Sequence, residues 1–111
     1  MIHKMKLQNG PFCSIKEGSK DIEMRLYDEK RKQINIGDFI EFTNVLNDEK
    51  ISVEVINLHI FKSFKELYSN FDKVRIGYKS GEKAQPEDME KYYPEEEMKL
   101  YGVVGIEIKL I

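Results

Sequence analysis

The chain has 111 residues, with 18 Lys/Arg against 20 Asp/Glu for a formal net charge of −2, and it is 41% hydrophobic and 34% charged. That is the size of one ordinary domain, spanning 1–111, large enough to bury a core without metal or disulfide staples, and it is too apolar to be a disordered chain. No apolar run approaches the roughly 18 residues of a membrane helix, no signal-peptide core follows Met1, and Cys13 is the single cysteine, so a cytoplasmic protein with no membrane partner is expected.

In chain order, Pro11 to Gly18 reads as a short helix: Pro suits the first turn, Phe12 and Ile15 share a face, and Gly18 is a natural C-cap. Asp21 to Leu26 alternates, with Ile22, Met24 and Leu26 on one side and Asp21, Glu23 and Arg25 on the other, which predicts a half-buried strand. Asp28 to Gln33 is a charged loop. A Gly37-Asp38 turn then leads into a strand over Phe39–Leu46, a hairpin loop over Asn47–Lys50, and a long β-rich strand over Ile51–Ile60.

Ser63 to Tyr68 predicts another short helix, with Ser63 as N-cap and Glu66 completing a capping box. Phe71 to Gly77 fits no single template, and Tyr78 to Gln85 is a polar loop. Pro86–Tyr93 and Glu95–Leu100 are helical, interrupted at Pro94, with Gly102 ending the second. Val103 to Ile111 is the last strand. A hairpin without a repeating strand–helix–strand rhythm predicts an α+β domain: a small, curled, mainly antiparallel barrel with short helices packed over its ends. Phe39, Val53, Val55, Val104 and Ile106 are expected in its core.

Most catalytic and metal-binding signatures are missing. The glycines are too scattered for a phosphate loop. His3, His59 and Cys13 have no partners at metal-ligand spacing, so neither metal nor cofactor is expected. The carboxylates of 87–97 lack the calcium-loop pattern and sit mostly in first helical turns, where they complement the helix dipole. Charge is uneven, however. Residues 1–34 carry eight Lys/Arg to five Asp/Glu, and residues 82–99 carry three to seven.

One segment stands apart, Ile15-Lys16-Glu17-Gly18-Ser19-Lys20-Asp21-Ile22-Glu23-Met24-Arg25. A helix ends at Gly18, and a strand then carries Glu23 and Arg25 on one face because they are two apart. Facing solvent, they are an ordinary surface ion pair. Facing a cleft, they join Lys20 in a preorganised polar site.

That segment resembles the signature of the ASCH family, through Ile15, Gly18, Lys20, Glu23 and Arg25. Ile36-Gly37-Asp38-Phe39-Ile40-Glu41-Phe42 is similar to the family's next element, Tyr101–Ile108 to its closing strand, and Gly77-Tyr78-Lys79-Ser80-Gly81-Glu82 to a loop of its bacterial branch. The resemblance spans nearly the whole chain. It implies the PUA-like barrel and a Lys/Glu/Arg cleft that binds RNA or a modified nucleoside, with Lys20, Glu23, Arg25 and Tyr78 as ligand-binding residues. Some small family members are amidohydrolases acting on N4-acetylcytidine. For that activity, or a ribonuclease activity, Lys20, Glu23 and Glu82 would be the catalytic set. Position 23 departs from the hydrolase pattern, which has Thr there; a carboxylate is a base for water or an acceptor for an amino group, not an acyl-attacking hydroxyl. A protein-interaction domain with no chemistry in the cleft is the remaining alternative.

Overall fold

The computed structural model describes residues 1–111. Five strands, β1 (Ile2–Leu7), β2 (Ile22–Leu26), β3 (Phe39–Asn44), β4 (Lys50–Phe61) and β5 (Val103–Leu110), form one curled sheet in the order β1-β3-β4-β5-β2. The β3–β4, β4–β5 and β5–β2 pairings are antiparallel, whereas β1 runs parallel to β3. Helices α1 (Asn9–Glu17), α2 (Phe64–Asn70) and α3 (Glu95–Tyr101), with 3-10 turns at Arg31–Gln33 and Pro86–Lys91, complete the α+β fold. No helix is long and apolar enough to cross a membrane.

The sequence reading assigned no element to Ile2–Leu7. Its alternation is plain in the structure, where Met5 and Leu7 are buried while Lys4 and Lys6 face water. The hairpin, the long strand and the last strand lie as expected. Phe39, expected in the core, is instead 39% exposed. Inward and outward positions alternate along a strand, so Phe39 and Phe42 cannot both point in. Ile40 and Phe42 take the inner face at 0% exposure, and the register sets Ile40 opposite the equally buried Val53.

A β-bulge at Ile56 flips the parity of β4. Before it, Val53 and Val55 point into the concave side, and after it Leu58 does so. His59 and Phe61 therefore turn to the convex side, where both rings meet Phe71 edge-on. The result is two cores. The concave one gathers Phe12 and Ile15 of α1 with Phe42, Val53, Val104 and Ile106. The convex one packs Ile22, Met24 and Val103 against Phe64 and Leu67 of α2, Ile76 and Met89. Strand β2 lies between them and is buried on both faces rather than half-buried.

Local signals fix the helix ends. Gly18 takes a left-handed conformation (φ +89°) after α1, and its N–H bonds Ile15 O. Ser63 Oγ accepts the Glu66 N–H at 3.2 Å, and the Glu66 carboxylate reaches back to the Lys62 N–H, one residue beyond the expected capping partner. Buried Asn44 binds Asn9 at 2.9 Å and the Leu46 N–H at 2.9 Å, tying the β3–β4 hairpin to the start of α1.

This register predicts a contrast within β3. Phe42→Ala should cost about 3–5 kcal/mol in urea unfolding, as for a fully buried aromatic. Phe39→Ala should cost under about 1 kcal/mol. Equal costs would refute the assigned parity.

Candidate functional site

The site is assembled where α1 hands over to β2. After Gly18 the chain doubles back, and the Lys20 N–H bonds Ser14 O at 3.0 Å. This turns the Lys20 side chain beneath the loop that follows α2. Gly77 roofs it with φ +114°, and a Cβ there would sit 3.2 Å from Lys20 Cδ, so any side chain at 77 would be strained and would press on the lysine stem. From β2, Glu23 and Arg25 point to the concave side, opposite Ile106 and Val104.

The three side chains meet. Lys20 Nζ lies 2.8 Å from Glu23 Oε1, and Arg25 Nε lies 2.8 Å from Glu23 Oε2. Glu23 is 3% exposed and Lys20 6%. Burial by itself would raise the Glu23 pKa; Lys20 first and Arg25 second more than offset it and hold the carboxyl below its ordinary value. Two cations on one anion leave the cluster with a net positive charge. Arg25 Nη2 also donates to Lys6 O at 3.1 Å. Strands β1 and β2 are the two edges of the sheet, so this side chain bridges the open seam of the curled barrel.

Along that seam runs a cleft of about 690 Å³, within the usual range for small-ligand sites. It brings together every residue singled out in the sequence: Lys20, Glu23, Arg25, Tyr78 and Glu82 all line it. Their depths differ. Glu82 is exposed, and its carboxylate accepts the Lys79 N–H at 2.7 Å, bracing its own loop. Tyr78 lies deeper, its hydroxyl 2.7 Å from Asp88 Oδ2 and 2.9 Å from the Tyr68 hydroxyl. Burial, more than any other influence, pushes both phenols up in pKa, so at neutral pH they are hydrogen-bond donors.

Several lining residues escaped the sequence reading. Asp88 was read as a carboxylate serving a helix dipole. Tyr68 is another; Tyr93, which also lines the cleft, stands beside the Arg25 guanidinium. Arg31 was one of three consecutive cations in a charged loop, and no local signal separated it from Lys30 and Lys32. Its Nη1 binds Asp28 Oδ2 at 2.9 Å, while its Nε is buried without a partner in the protein. Such half-used guanidinium groups in a cleft fit an oxygen-rich anion. The histidines sit elsewhere in ordinary pairs, His3 with Asp38 at 2.8 Å and His59 with Glu107 at 2.9 Å. The Cys13 thiol donates to Asn9 Oδ1 at 3.5 Å.

Two measurements test the cluster. Arg25→Ala leaves a buried carboxylate with one cation, and should lower unfolding stability by about 1–3 kcal/mol at neutral pH. The second is pH dependence. The folded-state pKa of Glu23 lies below its ordinary 4.5, so its stabilisation is full above that value and is lost as pH falls through the folded value. The melting temperature of the natural chain should therefore fall more steeply below pH 4.5 than that of Glu23→Gln. Parallel acid limbs would dismiss the ion triad.

Comparison with known proteins agrees with this architecture. No curated protein sequence matches the chain. Among solved structures, the crystal structure of a hypothetical Pyrococcus protein superposes with a TM-score of 0.86 at 39% identity, covering 100% of both chains. The solution NMR structure of a protein from Pyrococcus furiosus gives 0.77 at 36% identity, covering 100% of this chain and 98% of that one. The family model described as ASCH domain matches residues 5–111. With a PUA-like curled sheet and a family match running from Met5 to the final residue, the chain belongs to the ASCH domain family.

Proposed function

We propose that the seam cleft binds RNA or a modified nucleoside, with Lys20, Glu23, Arg25 and Tyr78 as ligand-binding residues. The observation that carries this reading is a reversal of charge. The whole chain is acidic, yet five of its 18 Lys/Arg and only three of its 20 Asp/Glu line the cleft. Lys6, Lys91 and the half-used Arg31 stand with Lys20 and Arg25, and such a concentration of cations attracts phosphate and repels cationic partners. Tyr68, Tyr78 and Tyr93 supply aromatic walls of the kind that stack on bases. The ASCH family as a whole is associated with RNA.

Binding is favoured over hydrolysis by the state of Glu23. A general base works best with a pKa near the working pH and a free lone pair. Glu23 is held below the ordinary carboxylate range, and both its oxygens are engaged by cations. Such a group orients its neighbours. Glu82, the other carboxylate of the catalytic set, is committed to the Lys79 amide at the rim.

The test is a titration of single-stranded RNA and of N4-acetylcytidine, with product analysis, on the natural chain, Arg25→Ala, Arg31→Ala and Glu23→Gln. RNA affinity should fall with salt, and each arginine variant should flatten the log–log slope by roughly 0.7, the share of one phosphate contact on a single strand. Identical RNA and nucleoside affinity in all four proteins would sink the cleft reading. Turnover of N4-acetylcytidine by the natural chain, abolished in Glu23→Gln, would replace binding with catalysis.

A further inference from the structure

Strand β2 is the edge of the sheet, and its free side faces the cleft. In an antiparallel pair, alternate residues direct both main-chain groups at the partner strand, and those between direct both away from it. The ends of the β2–β5 ladder fix which are which. Asp21 O accepts the Ile108 N–H at 2.9 Å, and the Tyr27 N–H bonds Gly102 O at 3.0 Å, so Glu23 and Arg25, in step between them, direct their main chain at β5, while the Asp21 N–H at the strand's entry goes to Arg75 O at 3.1 Å. Ile22, Met24 and Leu26 turn theirs outward. The Ile22 N–H accordingly goes to Arg75 O at 3.0 Å, away from β5.

Met24 is different from its two outward-facing neighbours. It is the only one of the three that lines the cleft; its N–H and C=O point away from β5, the one strand beside β2, and no hydrogen bond outside the strand ladders reaches either. An unpaired main-chain donor and acceptor side by side are costly in a largely buried strand unless something else bonds them. Glu23 and Arg25, on either side of Met24 in the strand, fix its position through the ion triad. Tyr68, Tyr78 and Tyr93 wall the same space.

We infer that the Met24 main chain is the base-reading element of this cleft: its N–H and C=O pair with the edge of a planar nitrogen heterocycle that carries an acceptor next to a donor, as nucleobases do. Within the cleft the free edge is one residue long, because neither Ile22, whose N–H is taken by Arg75 O, nor Leu26 lines it. That length excludes an extended peptide, which adds to a sheet edge over several residues, and suits a single ring. The ring stacks on tyrosine while its edge completes the strand, and the cations meet the phosphate or sugar. This assignment rests on the cleft being a nucleoside or RNA site and names what within it reads the base.

The test uses amide NMR on the whole chain. The four common ribonucleosides are titrated, each beside a counterpart methylated on the ring nitrogen of its pairing edge. On binding, the Met24 amide proton should shift downfield. The methylated counterpart, unable to complete the pair, should bind roughly tenfold more weakly, the value of about one net hydrogen bond. If the amides of Lys20, Glu23, Arg25 and Gly77 shift while Met24 does not, the cleft reading stands and the Met24 assignment is overturned. Equal affinity for a nucleoside and its blocked counterpart overturns the assignment whatever the shifts. Silence at every cleft amide overturns the cleft reading and the assignment with it.

Discussion

A carboxylate at 3% exposure is tolerable only because two cations reach it, and much of this molecule is arranged to bring them there. Taking one ion out of water costs several kcal/mol, and only close opposite charges with good hydrogen bonds offset it. Lys20 arrives from the turn after α1, which needs Gly18 in its left-handed conformation and Gly77 without a side chain above the lysine stem. Arg25 arrives from the same strand two residues on. By holding Lys6 O as well, it fastens the two free edges of the sheet where no backbone ladder joins them. The triad is thus both the floor of the cleft and the clasp of the barrel.

The cleft follows from incomplete closure. The bulge at Ile56 lets one long strand serve a concave core with Val53 and Val55 and a convex side with Phe61. Helix α1 fills the concavity, and α2 with the segments after it covers the convex side. Strand β2, caught between, has both faces packed and one main-chain edge free. A cleft formed along a strand edge offers fixed backbone groups as well as side chains, and fixed groups bind at low entropic cost.

Charge gives this geometry its chemical direction. Acidic residues dominate the chain as a whole, and 82–99 especially, while the seam collects cations. An acidic exterior with a cationic cleft confines an anionic ligand to one place, which suits a short stretch of RNA or a single nucleotide better than a long duplex. The aromatic walls and the buried triad add shape to that preference. Arg25 is held rigid by Glu23, so its planar fork loses little freedom when it meets a ligand oxygen.

Local pattern was enough for part of this. The turn glycine at 18, the cap at Ser63, the hairpin at 47–50 and the alternation of β2 all rest on short-range sterics and hydrogen bonding, which act whatever the rest of the chain does. The grouping of Lys20, Glu23 and Arg25 was legible because it lies within six consecutive residues. Tertiary structure decided the rest. Whether Glu23 and Arg25 faced water or a cleft depended on what closes around the edge of β2, and those walls come from residues 6–11 and 68–93. The pairing of β1 with β3 joins residues more than 30 apart in the chain, and the exposure of Phe39 follows from a register with β4 that no local signal carries. The unpartnered Nε of Arg31 and the outward-facing main chain of Met24 carry no sequence mark at all. An unsatisfied donor is defined by what fails to reach it, and only the assembled fold determines that.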